Sequence, residues 1–210
     1  MTILQIENLA FFHTQTALLT PLFAQLSTSI PAGVTWVQGD ENSGKTTLLR
    51  LLSGDLPAST GHLSIHGNSL ADQPAAYKAN VFWIDPSSHA YDQTTATDYF
   101  KSLQSNYPKF DPLLLADLID GLALTAHVDK SIYMLSAGSK RKVWLAAAFA
   151  AGATVTLLDE PFAALDMASI RFVMELLEEA AQHPARAWVI ADYEAPKGLA
   201  LAGIVDLGEA

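Results

Sequence analysis

Six short runs along the chain carry a strand pattern, and they fall into different classes. TILQIE at 2–7 and HLSIHG at 62–67 alternate apolar and polar residues, the pattern of half-exposed antiparallel strands. VTWVQG at 34–39, TVTLLD at 154–159 and AWVIAD at 187–192 are more continuously apolar, as in a parallel sheet covered on both faces. NVFWID at 80–85 is the sixth run. Helical patterns lie between them. TTLLRLLSG at 46–54 ends on a capping glycine. DPLLLADLIDGLAL at 111–124 opens with Asp111 as N-cap and a proline at the first helical position. SAGSKRKVWLAAAFAAG at 136–152 opens on Ser136, and ASIRFVMELLEEAAQH at 168–183 places Ile170, Val173, Met174, Leu176 and Leu177 at helical spacing. The expected fold class is α/β, with a mostly helical insertion from about 86 to 150. Trp83 and Trp188 fall in strands and are expected in the core.

Composition narrows the picture. Half of the 210 residues are hydrophobic and 16% are charged, which suits a well-buried core. Twelve Lys and Arg against 22 Asp and Glu leave a net charge of −10, so nucleic acid is not an expected partner. The absence of cysteine excludes disulfides and thiolate metal sites. The longest apolar stretch, 143–158, is too short to span a bilayer and is split by Gly152. The first residues, MTILQIENLAFFH, lack the basic start and small-residue cleavage site of a secretory signal. The expectation is a soluble protein, or one peripheral to a membrane through a partner.

The strongest chemical signal follows the second run. Gly39, Asp40, Glu41, Asn42, Ser43, Gly44, Lys45 and Thr46 spell G-x-x-x-x-G-K-T between an apolar strand and a helix. Such a loop curls its backbone N–H groups around phosphate oxygens, and the helix N-terminus adds partial positive charge. Lys45 bridges the terminal phosphates and Thr46 ligates Mg²⁺, with Thr47 beside it as a further nucleotide contact. Asp40 and Glu41 are compatible if their side chains face solvent, because the cradle is backbone. TVTLLDEP then places Asp159 and Glu160 at a strand end, the ligand edge of a parallel sheet. Asp159 suits an outer Mg²⁺ partner, and Glu160 suits a general base for an attacking water.

LSAGS at 135–139 and AALD at 163–166 complete an ordered set with the phosphate loop and LLDEP. On these motifs the chain resembles the ATP-binding subunit of ABC transporters over essentially its whole length. LSAGS is similar to the family signature LSGGQ. The resemblance implies that Ser136 and Gly138 of one subunit close over the ATP of another. Asp166 is then expected at the dimer seam. It implies a P-loop nucleotide-binding core with an antiparallel β-lobe (1–85 and 151–210) and a helical subdomain at 86–150. It also implies an aromatic stacked on adenine, for which His13 and Phe12 are the candidates.

Two positions depart from the family pattern. Where the family has a Gln after the strand that follows the β-lobe, this chain has Asp85, counted here among the candidate metal ligands. Where the family has a His at the end of the last core strand, this chain has Asp192, counted among the catalytic candidates with Glu160 and Lys45. An ionised Asp only accepts hydrogen bonds. At about 4 Å from a phosphate charge, its repulsion reaches ~4 kcal/mol at an effective dielectric of 20. Three arrangements are open: Asp192 protonated, turned away, or aimed at Mg²⁺ or water. A slip of one residue makes Tyr193 the contact instead. SKRK at 139–142 reads as a solvated helix face, with help for the signature in meeting phosphate as the alternative, and His89, His127 and His183 read as surface residues.

The resemblance implies an ATPase that dimerises around ATP and Mg²⁺, with a second copy or a paralogous subunit. It would drive a separate integral membrane permease from the cytoplasmic face of the membrane. Small exporter-type subunits are the most similar in wording. Slow hydrolysis with ATP as a dimerisation switch is the alternative, and a non-transport ABC protein ranks behind both.

Overall fold

The computed structural model of the chain describes residues 1–12 and 21–208. The first elements are β1 (Thr2–Phe11), β2 (Phe23–Pro31), β3 (Gly33–Gln38) and α1 (Lys45–Ser53). β4 (Thr60–Ile65), β5 (Asn68–Ser69), α2 (Pro74–Lys78) and β6 (Val81–Phe82) follow. Three helices come next: α3 (Ala96–Asn106), α4 (Pro112–Gly121) and α5 (Ala137–Ala150). The last elements are β7 (Val155–Asp159), α6 (Met167–Ala181), β8 (Ala187–Ala191) and β9 (Gly203–Asp206).

The strands form two sheets. One is antiparallel, in the order β2-β1-β4-β5, and the other runs β6-β7-β8-β3-β9. Every neighbouring pair in the second sheet is parallel. Its strands read as unbroken apolar runs because both faces are covered. Trp36, Leu158, Trp188 and Ile190 pack toward the helices of the 96–181 region. Val37, Leu157, Val189 and Ala191 pack toward α1 and the antiparallel sheet. Leu48, Leu49, Leu51 and Leu52 of α1 are fully buried in that second layer, each contributing about 1.5–3 kcal/mol.

Helix starts follow the polar residues ahead of them. Asp111 accepts from the N–H groups of Leu113 and Leu114, Ser136 from Ser139, and Asp166 from Ser169. The run at 80–85 is the main correction, since only Val81 and Phe82 pair. Trp83 lies beyond that strand and is half-buried, not core, whereas Trp188 is buried. β2, β9 and α2 are elements the pattern did not single out. β2 and β9 lie at the outer positions of their sheets, where exposed residues break the apolar signal. The strand order has one consequence for function. β8 lies between β3 and β7, so the residues after β8 emerge between the phosphate loop and the acidic strand end.

Candidate functional site

Lys45 opens α1 and is buried. Its Nζ donates to the Gly39 carbonyl at 2.7 Å and to the Asp40 carbonyl at 2.8 Å. Those two bonds hold the loop curled ahead of the helix. Asp40 and Glu41 are exposed. Gly44, with φ 96°, precedes α1 in the left-handed region, and a Cβ there would meet Leu22 and Phe23 at 2.9 Å. The start of β2 therefore presses directly on the loop. Ser43 Oγ is buried with no hydrogen-bond partner among the described residues.

The metal candidates meet only in part. Thr46 Oγ1 donates to Asp159 Oδ2 at 2.7 Å, across 113 residues of sequence. Burial pushes the Asp159 carboxyl above its ordinary range against the Thr46 hydrogen bond, and Glu160 and Asp85 push the same way. A hard oxygen pair crowded by carboxylates fits Mg²⁺, whose charge would relieve both burdens. Among the described residues no group of three or more His, Asp or Glu forms a metal cage. The remaining ligands would be phosphate oxygens and water, the usual pattern for Mg²⁺. Asp85 is near enough to act on Asp159 but makes no bond to the pair; its Oδ1 accepts from the N–H and Oγ–H of Ser87 at 2.8 and 2.6 Å in a tight turn.

A cleft of about 430 Å³ lies over the loop. It is lined by Glu41, Asn42, Gly44, Lys45, Thr46 and Thr47 of the loop and helix start and, from elsewhere in the chain, by Leu22, Glu160 and Tyr193. Glu160 sits at φ 45°, a left-handed conformation uncommon for a residue with a side chain. Its N–H donates to the Ala191 carbonyl of β8 at 2.8 Å, which fixes the turn off β7. Asp192 is not among the cleft-lining residues. Its Oδ1 accepts from the Tyr193 N–H at 2.8 Å, and burial pushes its carboxyl upward. Tyr193 takes the wall position, with Lys45 Nζ 4.7 Å from its ring centroid. The nearby Glu41 raises the phenol above its ordinary value, with burial, Glu160 and Asp192 adding to it.

Other candidates fall elsewhere. Ser136 and Gly138 do not line the cleft of their own chain. A Cβ on Gly138 would strike the Ala164 carbonyl, so the 135–139 and 163–166 segments are in close contact. SKRK is not a solvated face. Lys140 pairs with Asp92 at 3.1 Å, Arg141 donates to the Asp159 carbonyl at 2.6 Å, and Lys142 pairs with Asp166 at 2.7 Å. α5 carries these cations into the angle between the loop at 92, the end of β7 and the start of α6. Phe12 donates its N–H to Ser59 Oγ and is not a cleft residue, while His13 lies outside the described residues. Leu22, which the sequence did not point to, holds the wall on that side. Its only signal is its place at the start of a strand too polar to stand out.

This geometry can be set beside known proteins. The sequence model of a family described as ABC transporter matches residues 23–163, more than half of the chain. The chain belongs to the ABC transporter family. A cytochrome c biogenesis ATP-binding export protein CcmA of Pseudomonas savastanoi pv. phaseolicola is 34% identical over 150 residues, covering 71% of this chain and 70% of that protein. The CcmA of Escherichia coli K12 is 32% identical over 171 residues, 80% of this chain and 79% of that protein. Among solved structures, a putative ABC transporter ATP-binding protein from Pyrococcus furiosus has a TM-score of 0.76 at 22% identity. That match covers 97% of this chain and 96% of the other, and it supports the ABC ATPase fold.

Proposed function

We propose that the chain is an ATP-hydrolysing subunit that pairs around nucleotide and powers a separate membrane permease. The observation that carries this reading is the cleft itself. Lys45, the Thr46–Asp159 pair and Glu160 are brought together from the start of α1 and the end of β7, segments distant in sequence. Backbone N–H groups and Lys45 hold the phosphates of ATP. Thr46 and Asp159 would hold Mg²⁺, which would offset phosphate charge. Glu160 accepts a proton from water as the water oxygen attacks the γ-phosphorus. The bond from γ-phosphorus to the bridging oxygen breaks, leaving ADP and inorganic phosphate.

Pairing is supported by the position of Ser136 and Gly138, away from their own cleft, with Gly138 packed against the Ala164 carbonyl. The second subunit is a copy of this chain or a paralogue. No helix among the described residues is long and apolar enough to cross a membrane. That agrees with a permease on another chain and a peripheral place at the cytoplasmic face. The CcmA relatives, named as export proteins, favour export as the direction.

A switch with slow hydrolysis is favoured by two observations, the absence of Asp192 from the cleft wall and the closed turn at Asp85. Phosphate release by wild type and Glu160→Gln separates the two readings. The ATPase reading expects wild type to be faster by about 10²–10⁴. Equal rates would overturn it in favour of the switch.

A further inference from the structure

We infer that Arg141 is a positioning residue for Glu160, its guanidinium holding the peptide that aims the base from a helix outside the cleft. This rests on the reading of Glu160 as the base of ATP hydrolysis and adds a residue behind it. Nothing grips the Glu160 side chain: among the described residues its carboxylate makes no hydrogen bond and no ion pair. Its aim is therefore set by its backbone, which sits at φ 45°, a conformation that persists only where the surroundings enforce it. The peptide between Asp159 and Glu160 is held at both ends. Its N–H donates to the Ala191 carbonyl of β8 at 2.8 Å, and its carbonyl accepts from Arg141 Nη1 at 2.6 Å.

The sheet explains why a side chain is needed there. β6 and β7 are parallel, with Val81 beside Val155 and Phe82 beside Thr156, and the Val155 N–H donates to the Asn80 carbonyl. Carried along at that register, the ladder would bring residue 86 to the Asp159 carbonyl as its donor. That residue is Pro86, which has no N–H, and β6 has already ended at Phe82. Arg141 supplies the missing donor. Pro86, Arg141 and Asp159 line one narrow crevice with Ile84, Trp144 and Leu158, which places the guanidinium at the end of the ladder. Charge favours it there, since Asp159, Glu160 and Asp192 all act on it. Its one hydrogen bond among the described residues nonetheless goes to the main chain and to none of those carboxylates. A planar, permanently charged donor suits the task, because such a bond is comparable in strength to the strain of a left-handed residue. Arg141 does not line the cleft, so it acts through Glu160 and not on the nucleotide.

The test uses the full chain with excess Mg²⁺ and measures phosphate release and ATP affinity for Arg141→Met, alone and in the Glu160→Gln background. Methionine keeps much of the stem and removes both donor and charge. kcat should fall about tenfold to a hundredfold, the scale of a slightly misplaced catalytic group, with ATP affinity as in wild type. In the Glu160→Gln background no base is left to aim, so the same substitution should barely change the residual rate. Arg141→Lys, which keeps the charge and a donor, should recover most of the loss. An unchanged kcat in Arg141→Met overturns the inference. So does an equal fold loss in both backgrounds, or a loss of rate matched by a loss of affinity, since either makes Arg141 a general support. Melting curves show whether Arg141→Met folds; if it does not, Arg141→Gln, which drops the charge and the reach, is read by the same criteria. A wild type no faster than Glu160→Gln removes the ATPase reading and this inference with it, whereas a fast wild type matched by Arg141→Met sinks the inference alone.

Discussion

Around Lys45, three carboxyl groups from the ends of β7 and β8 share the Arg141 guanidinium and the Lys45 ammonium as counter-charges, and burial still outweighs them at Asp159 and Asp192; around Ser136, each basic side chain of the first helical turn already has an acidic or carbonyl partner. Asp159 and Asp192 are both pushed above the ordinary carboxylate range, chiefly by burial, and Glu160 adds to each. Glu160 itself stands on a left-handed backbone, of the kind that costs of order 1–3 kcal/mol. At the other corner, Lys142 and the N–H and hydroxyl of Ser169 hold Asp166 well below the ordinary range. Arg141 is bonded to the Asp159 carbonyl and Lys140 to Asp92. One region is left to be completed by cation and phosphate. The other is already satisfied within the chain and is fit to be presented as a rigid surface.

The sharpest way to break this contrast is to remove the one cation of the cleft. Lys45→Met should lower ATP affinity by about tenfold to a hundredfold, since a hydrogen bond to a charged group contributes roughly 1.5–3 kcal/mol. Titration with a fluorescent ATP analogue measures it, and an unchanged affinity would deny that phosphate meets Lys45. The matching substitution at the satisfied corner acts on packing. Gly138→Ala drives a Cβ into the Ala164 carbonyl, and overpacking of this kind costs about 1–3 kcal/mol. The chain should melt roughly 2–12 °C lower, at 2–4 °C per kcal/mol for a domain of this size. A melting point equal to wild type would mean that the 163–166 loop yields freely, so the corner is not rigid.

The two regions also differ in how legible they were. Phosphate loop and acidic strand end are contiguous motifs whose residues spacing could point to, the signature was read through the family resemblance, and the parallel sheet came from its continuous apolar runs. What spacing could not give was direction. Asp192 and Tyr193 are neighbours in sequence, and only the hydrogen bond from the Tyr193 N–H to Asp192 Oδ1 decides which of them faces the cleft. The same holds for SKRK, a solvated face by composition, because its partners Asp92, Asp159 and Asp166 come from three separate segments. Leu22 escaped notice because β2 alternates at the outer position of its sheet and carries no chemistry of its own.

Asp166→Ala probes the satisfied corner more gently. It removes the N-cap of α6 and the partner of Lys142 together. The cap accounts for most of the loss and the exposed ion pair adds little. The sign with pH is fixed by the lowered folded-state pKa. The stabilisation by Asp166 is complete above the ordinary carboxylate value of 3.8 and is lost as pH falls through the lower folded value. The wild-type advantage in urea melts should therefore hold at pH 7 and shrink only in strong acid. An advantage already gone at pH 5 would contradict the pairing.

Asp159→Asn is expected to have the smallest effect and the opposite sign. The folded chain raises the Asp159 pKa, so between 3.8 and that raised value the native state binds more protons than the unfolded state. Stability then falls as pH rises through this window, and above it the ionised carboxylate opposes folding in full. Asparagine removes that cost, and its side-chain oxygen can still accept from Thr46 Oγ1. The nucleotide-free variant should melt slightly higher than wild type at pH 7, and the gain should vanish as the pH drops below the carboxylate range. With Mg²⁺ and ATP the order should reverse. A ligand stabilises the state it binds in proportion to its affinity, and the neutral amide is a poorer partner for the cation than the carboxylate. A variant less stable than wild type without ligand would show that the carboxylate at the end of β7 is a structural anchor, and would remove the central contrast between the two regions.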